Sequence, residues 1–276
     1  MRLKLNLLPE NSPHLHVNYN YALSAAIYKL LRFGSEEFAD ILHNKGYKLN
    51  GKVYKLFSFA LKFNKIISIN KNRILLGKKN ADLIISSPLI DEFIKNFIYG
   101  SFSNSKIELV TENIKTIFNI QAIETIESPL LSEQQKFLLY SPLVLSTGYK
   151  DDSDKFKQKF IRYQDDSNMT SRILNTNLKN KYEIIHKKTY EGSDLFFEWD
   201  NNYAEKRIKD GKYLTRKVSV IKNEEKPIDI VGNMIPFTLK GNVELMKVGY
   251  DCGFGEKNSL GFGLAELIWT NITVRK

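Results

Sequence analysis

Cysteine is nearly missing from this sequence: Cys252 is the single one in 276 residues, which excludes an internal disulfide framework. No apolar run approaches the roughly 18 residues of a membrane-spanning helix. The first residues, Met1-Arg2-Leu3-Lys4-Leu5, lack the apolar stretch of a secretory signal. No membrane partner is therefore expected, and a cytoplasmic location is. Histidine is scarce, with only His14, His16, His43 and His186. His14-x-His16 could offer two ligands from one extended segment, but with no cysteine or third histidine nearby a metal is not expected there. Acidic residues are absent from Lys45 to Lys79, so the carboxylate cluster of a two-metal nuclease has no place in that stretch. Asp151, Asp152, Asp154, Asp165 and Asp166 read as solvated connector residues. No metal and no other cofactor is expected.

What is present points to a folded, basic protein. Hydrophobic residues make up 42% and aromatics 12% of the chain, enough to build a core. A formal charge of +10 favours a polyanionic partner, nucleic acid before membrane. Between Lys45 and Lys79 lie ten Lys and Arg, among them Lys48, Lys52 and Lys55. Tyr47, Tyr54, Phe57, Phe59 and Phe63 are interleaved with them, a mixture suited to phosphates and unstacked bases. A second block holds Lys206, Arg207, Lys209, Lys212, Arg216, Lys217 and Lys222. The competing reading of either block is a solvated strand edge on which lysine blocks aggregation.

The order of elements suggests a repeated plan. Leu3, Leu5 and Leu7 alternate as in a half-buried strand. Leu23, Ile27, Leu30 and Leu31 have helical spacing over 20–33, closed by Gly34, and Ser35 starts a second helix to about Asn44. Strands are expected at Leu56–Phe63, Ile66–Leu76 and Leu83–Ser86, a helix after Pro88, and a strand over Ile107–Ile123. The second half reads as a strand over Phe137–Leu145, a polar connector, and helical character to about Lys188. Strands follow at Leu195–Trp199, Tyr213–Lys222 and Ile228–Leu239, then a helix over Asn242–Cys252 and a last strand at Leu264–Trp269. Each half fits a ferredoxin-like split βαβ unit. The expected fold is α+β, two ferredoxin-like domains side by side, divided as 1–131 and 132–276.

The most distinctive stretch is Gly253-Phe254-Gly255-Glu256-Lys257-Asn258-Ser259-Leu260-Gly261-Phe262-Gly263. Glycines at this density let the backbone turn sharply and approach a neighbour closely. Successive N–H groups in such a turn form a concave anion site, and Lys257 adds a charge, so a phosphate is the expected guest. Neither the P-loop spacing nor the dinucleotide fingerprint fits. A glycine-rich helix cap that binds nothing is the alternative. Gly253, Gly255, Lys257, Asn258, Gly261 and Gly263, with Lys48, Lys52, Arg216 and Lys217, are the candidate nucleic-acid-binding residues.

The run Gly249-Tyr250-Asp251-Cys252 through Gly263, preceded by Pro236-Phe237-Thr238-Leu239-Lys240-Gly241, resembles the C-terminal signature of the sixth Cas protein family. These are the CRISPR repeat-processing endoribonucleases of the RAMP superfamily. The resemblance implies tandem ferredoxin-like domains and a CRISPR repeat RNA as partner, single-stranded or hairpin, so that the candidate nucleic-acid-binding residues become RNA-binding ones. It also implies a chain that acts as a monomer or homodimer, with other Cas effector subunits as further partners. Family members place a histidine after the second helix, a tyrosine on the first helix and a lysine before the next aromatic strand. On this sequence those are His43, Tyr28 in Ala-Ile-Tyr-Lys-Leu-Leu, and Lys55 in Lys-Leu-Phe-Ser-Phe. His43 also stands out from the residues alone, as a histidine beside an acid-free basic block. The expected activity is metal-independent endoribonucleolytic cleavage in which the RNA 2′-hydroxyl attacks its own phosphate, assisted by acid, base and cation. The alternative is a RAMP-type subunit that holds RNA without cutting it.

Overall fold

The computed structural model describes residues 1–10, 14–77, 81–111, 114–220 and 227–268. β1 (Arg2–Pro9) buries Leu3, Leu5 and Leu7 completely, as their alternation requires. β2 (His14–His16) precedes α1 (Asn20–Gly34), which turns Leu23, Ile27, Leu30 and Leu31 into the core. Ser35 then caps α2 (Glu36–Asp40), its Oγ accepting from the Phe38 N–H at 3.2 Å. α2 widens into a π-helical turn, Ile41–Lys45. The hairpin β3 (Tyr47–Leu49) and β4 (Lys52–Tyr54) follows, then β5 (Ser58–Phe63), the hairpin β6 (Ile66–Asn70) and β7 (Arg73–Leu76), and β8 (Ala81–Ser86). α3 (Lys95–Ser103) leads to β9 (Lys106–Thr111) and β10 (Ile114–Ile126). The main sheet runs β5-β8-β1-β10-β9 with all neighbours antiparallel. With β9 set aside as an added edge strand, β1, α1, β5, β8, α3 and β10 make the ferredoxin-like βαββαβ unit.

The second half repeats the plan around β11 (Gln134–Leu139). The hairpin β12 (Ser146–Lys150) and β13 (Phe156–Phe160) precedes α4 (Ser167–His186). Then come β14 (Phe196–Trp199), α5 (Asn201–Lys209), the hairpin β15 (Thr215–Val220) and β16 (Ile228–Asn233), and β17 (Phe237–Lys240). α6 (Val243–Cys252) and β18 (Ala265–Leu267) complete the chain as described. The sheet order β14-β17-β11-β18 is the same permutation as in the first half, so the fold is α+β with tandem ferredoxin-like units. Among the described residues no helix is long and apolar enough to cross a membrane.

The expected elements needed several corrections, mostly from turns that apolar patterning hides. Ile66–Leu76 is a hairpin, reversing at Lys71 with φ 50°, and 107–123 is two antiparallel strands. Ile228–Leu239 is cut before Pro236, and its pieces β16 and β17 join different sheets. Strand character fades at Pro142, leaving Leu143 a lone bridge to Asn233. Helical character does not follow the polar connector directly: Asp151–Lys155 turns the β12–β13 hairpin, and α4 starts only where Asp166 caps the Asn168 N–H at 2.9 Å. Helix α5 was not expected at all. Trp269, Lys78, Lys79 and Lys222 lie outside the described residues.

The two units are joined through polar groups as well as core. Arg2, 1% exposed, donates to the Tyr250 carbonyl at 2.6 Å, pairs with Glu266 at 3.2 Å and stacks on the Tyr250 ring. Ser86 Oγ donates to the Asp251 carbonyl at 2.8 Å. Ala60 and Ile84 of the first sheet pack on Leu264 of the second half. Cys252 is fully buried in α6, and burial pushes its thiol up to about 12. Iodoacetamide should therefore leave the native protein unlabelled at pH 8 and modify one thiol only in denaturant; rapid native labelling would contradict this packing.

Candidate active site

Three segments distant in sequence meet beside the π-helical turn. His43 is exposed on that turn, within the helix end rather than in a loop after it as the sequence suggested. A π-turn forms because the Gly46 N–H reaches back to the Ile41 carbonyl at 2.9 Å, and Gly46 with φ 58° then ends the helix. The His43 ring stands edge-on to Tyr28 of α1, with centroids 4.9 Å apart. Asn44 Oδ1 lies 3.1 Å from His43 Nδ1. An amide oxygen only accepts, so this contact has Nδ1 as its donor and leaves Nε2 as the ring nitrogen free of it.

Lys55 supports this turn from below. Its ammonium donates to the Leu42 carbonyl and, at 2.7 Å, to the His43 carbonyl. Those carbonyls belong to the helix end, where unpaired oxygens favour a cation. Partial burial lowers the Lys55 pKa. Two of its three N–H donors are used, which leaves one for an anion.

The glycine loop closes the other side. The Tyr28 hydroxyl lies beside the Ser259 side chain, and burial raises the phenol above its ordinary pKa, so it remains protonated and can donate. Ser24 Oγ donates to the Ser259 carbonyl at 2.7 Å, and Asn20 Nδ2 to the Leu260 carbonyl at 3.0 Å. The loop thus lies along α1, directly beside Tyr28.

Inside the loop is a residue that the sequence reading missed. Lys181 of α4, 2% exposed, donates to the Gly253 carbonyl at 2.7 Å, the Gly255 carbonyl at 2.8 Å and Asn258 Oδ1 at 2.8 Å. Burial lowers its pKa to about 8. Asn258 in turn donates to the Phe254 and Phe262 carbonyls at 3.1 and 3.0 Å, so its amide is spent holding the loop's shape. The signal was visible: Lys181 falls on the apolar stripe Leu174, Leu178, Tyr182, where a lysine has no reason to be unless it is paired.

The glycines also answer to protein rather than to a guest. A Cβ on Gly263 would lie 1.9 Å from the Phe254 carbonyl oxygen, and one on Gly255 2.3 Å from that of Val144. The N–H groups of Phe254, Glu256, Leu260, Gly261 and Gly263 all donate to protein carbonyls. The nest expected around a phosphate is largely filled by the chain itself, and Gly253 and Gly261 likewise face Ser58 and Phe59. Lys257, exposed and left-handed at φ 59°, is the part of the loop turned to solvent.

The chain resembles known proteins along most of its length. Residues 126–267 match the family described as CRISPR associated protein Cas6, C-terminal, and residues 14–121 match CRISPR-associated protein Cas6, N-terminal. The chain belongs to the Cas6 family. CRISPR-associated endoribonuclease Cas6 1 of Methanocaldococcus jannaschii is 30% identical over 265 residues, covering 96% of this chain and 91% of the relative. CRISPR-associated endoribonuclease Cas6 of Pyrococcus furiosus is 26% identical over 277 residues, covering 97% and 90%. A solved structure of a CRISPR associated protein Cas6 matches with a TM-score of 0.73 at 27% identity, covering 98% of this chain and 99% of that one.

Other candidate residues of this Cas6-family chain are dispersed. Lys48 is exposed on β3. Lys52 pairs with Glu256 at 3.0 Å across the two units, and Lys217 pairs with Asp229 at 3.0 Å. Arg216 donates to the Val17 carbonyl at 3.2 Å and lies over the Tyr19 ring, in a crevice that also holds Gly261. Three aromatics of the basic block are not available to stack on bases: Tyr54, Phe57 and Phe59 are 6%, 0% and 1% exposed and belong to the cores, whereas Tyr47 and Phe63 are half-buried. β5 is buried at four successive residues from Ser58 to Leu61, so both its faces are covered there, and within it only Lys62 is exposed. The second basic block is split between α5 and β15. His16 is buried and accepts from the Asn18 N–H at 3.1 Å. Among the described residues no group of three or more His, Cys, Asp or Glu could hold a metal.

Proposed function

We propose that this chain is an endoribonuclease that cuts CRISPR precursor RNA within its repeats, without needing a metal. The observation that carries the reading is the convergence of Tyr28, His43 and Lys55, with the His43 and Tyr28 rings 4.9 Å apart and Lys55 Nζ 2.7 Å from the His43 carbonyl. RNA supplies its own nucleophile. In this reading His43 Nε2 takes the 2′-hydroxyl proton, the 2′-oxygen bonds to phosphorus, and the bond from phosphorus to the 5′-oxygen breaks. The departing oxygen takes a proton, from the imidazolium or from solvent. The Tyr28 hydroxyl and the unused Lys55 N–H stabilise the charge that develops on the phosphoryl oxygens. Products are a 2′,3′-cyclic phosphate and a 5′-hydroxyl. The first unit supplies these groups and the second supplies the loop beside them, with the division set near residues 131 and 132.

The test is a transcript with two repeats, incubated with protein and EDTA. One discrete cut per repeat is expected, with 5′ ends that polynucleotide kinase labels without prior phosphatase treatment. Tight binding with no fragment would favour the RNA-holding alternative. Cleavage that stops in EDTA and returns with magnesium would defeat the metal-free mechanism.

A further inference from the structure

The β12–β13 hairpin lies outside both main sheets, inserted between β11 and α4. At its rim Phe156 is 80% exposed. A single exposed aromatic is unremarkable by itself. This ring, however, lines the same cleft between the two units as Lys55, Ser259 and Lys257. It lies beside Gly148, whose missing side chain leaves it open on that side, and the Lys150 ammonium lies 5.6 Å from its centroid. The cleft is positive overall: Lys52, Lys55, Lys157, Lys181 and Lys257 line it against Glu256 alone. Lys52 and Lys157 are ion-paired, with Glu256 and Asp151, so the exposed Lys257 supplies the most available charge.

This cleft therefore holds Lys55, one of the candidate cutting groups, together with an open aromatic and further cations, while Tyr28 and His43 line a separate pocket. Phosphates at intervals and a flat apolar face are the two features of a single nucleic-acid strand, and only an unpaired strand can offer the face. The buried aromatics of the basic block cannot take that part. We infer that the β12–β13 hairpin is a base-stacking arm, on which Phe156 receives an unpaired base of the RNA strand that runs along the cleft past Lys257. This rests on the proposed RNA-cleaving reading and adds a binding subsite to it.

The test uses the full chain and two fluorescein-labelled probes, oligouridine of about 12 nucleotides and a blunt RNA duplex of about the same length. Anisotropy is read at several salt concentrations. Phe156→Ala should weaken oligouridine binding about tenfold with an unchanged salt slope, because stacking releases no counterions. Phe156→Trp should restore it. Lys257→Gln should instead reduce the slope by about 0.7. Thermal unfolding of Phe156→Ala should match the wild type, since the side chain is exposed. Equal oligouridine affinity in Phe156→Ala and wild type would overturn the inference, as would a loss of affinity of the same size on the duplex. Absence of cleavage by a wild type that binds oligouridine through Phe156 would sink the cleavage reading and leave the arm standing.

Discussion

His43→Ala lowers the single-turnover rate of repeat-RNA cleavage about 10²–10⁴-fold, the usual contribution of one positioned acid–base group. Binding of the RNA should change little, because the imidazole is exposed and contributes no ammonium or guanidinium to the phosphates. The fold should also survive: the side chain's contacts are the edge of Tyr28 and the Asn44 amide, and Lys55 holds the turn through backbone carbonyls that alanine retains. The measurement is the rate at saturating protein, in EDTA, beside a titration of the same RNA. A His43→Ala protein that cuts at the wild-type rate would remove the imidazole from the mechanism. A loss confined to binding would reassign it to RNA contact.

Lys181→Met is the second large effect, and it is one of stability. The substitution leaves the Gly253 and Gly255 carbonyls and Asn258 Oδ1 without their donor. Each orphaned acceptor costs about 1–3 kcal/mol. Against that, methionine removes a buried charge whose desolvation is reflected in a pKa lowered to about 8 from 10.5. That shift corresponds to roughly 3 kcal/mol at about 1.4 kcal/mol per pH unit. A net loss of about 2–4 kcal/mol is expected near pH 7.

The pH dependence identifies the cause. Between about 8 and 10.5 the unfolded chain binds more protons at this lysine than the folded one, so its contribution to stability rises with pH across that window. Below about 8 both states are protonated and the contribution is flat. Methionine has no such term. The gap between wild type and Lys181→Met in denaturant titrations should therefore widen from pH 8 to pH 10. A gap that narrows would mean the lysine is not held in the desolvated network beneath the loop. Cleavage should fall as well, since the loop places Ser259 against Tyr28.

Much of this protein is local and could be read along the chain. β1 and α1 follow from the spacing of Leu3, Leu5 and Leu7 and of Leu23, Ile27, Leu30 and Leu31, which tertiary contacts only confirm. The tandem plan followed from element order, and the glycine stretch was recognisable as a turn between a helix and a last strand. Tyr28, His43 and Lys55 were picked as separate positions, and the fold brings them together.

What pattern alone misjudged was the direction in which side chains are used. Phe57 and Phe59 looked like base platforms because they sit among lysines, but both rings pack into the core of the first unit. The glycines looked made for a phosphate, and the chain's own carbonyls occupy that space. Composition, charge, helix and strand periodicity and the family of this chain were set by its sequence, because each depends on residue type or on neighbours a few positions apart. The stapling of the loop by Lys181, the meeting of Ser259 with Tyr28 and the cleft leading to Phe156 were decided only in three dimensions. They join residues up to 231 positions apart, from Tyr28 to Ser259, and no local spacing encodes which distant segments will share a surface once two sheets have packed.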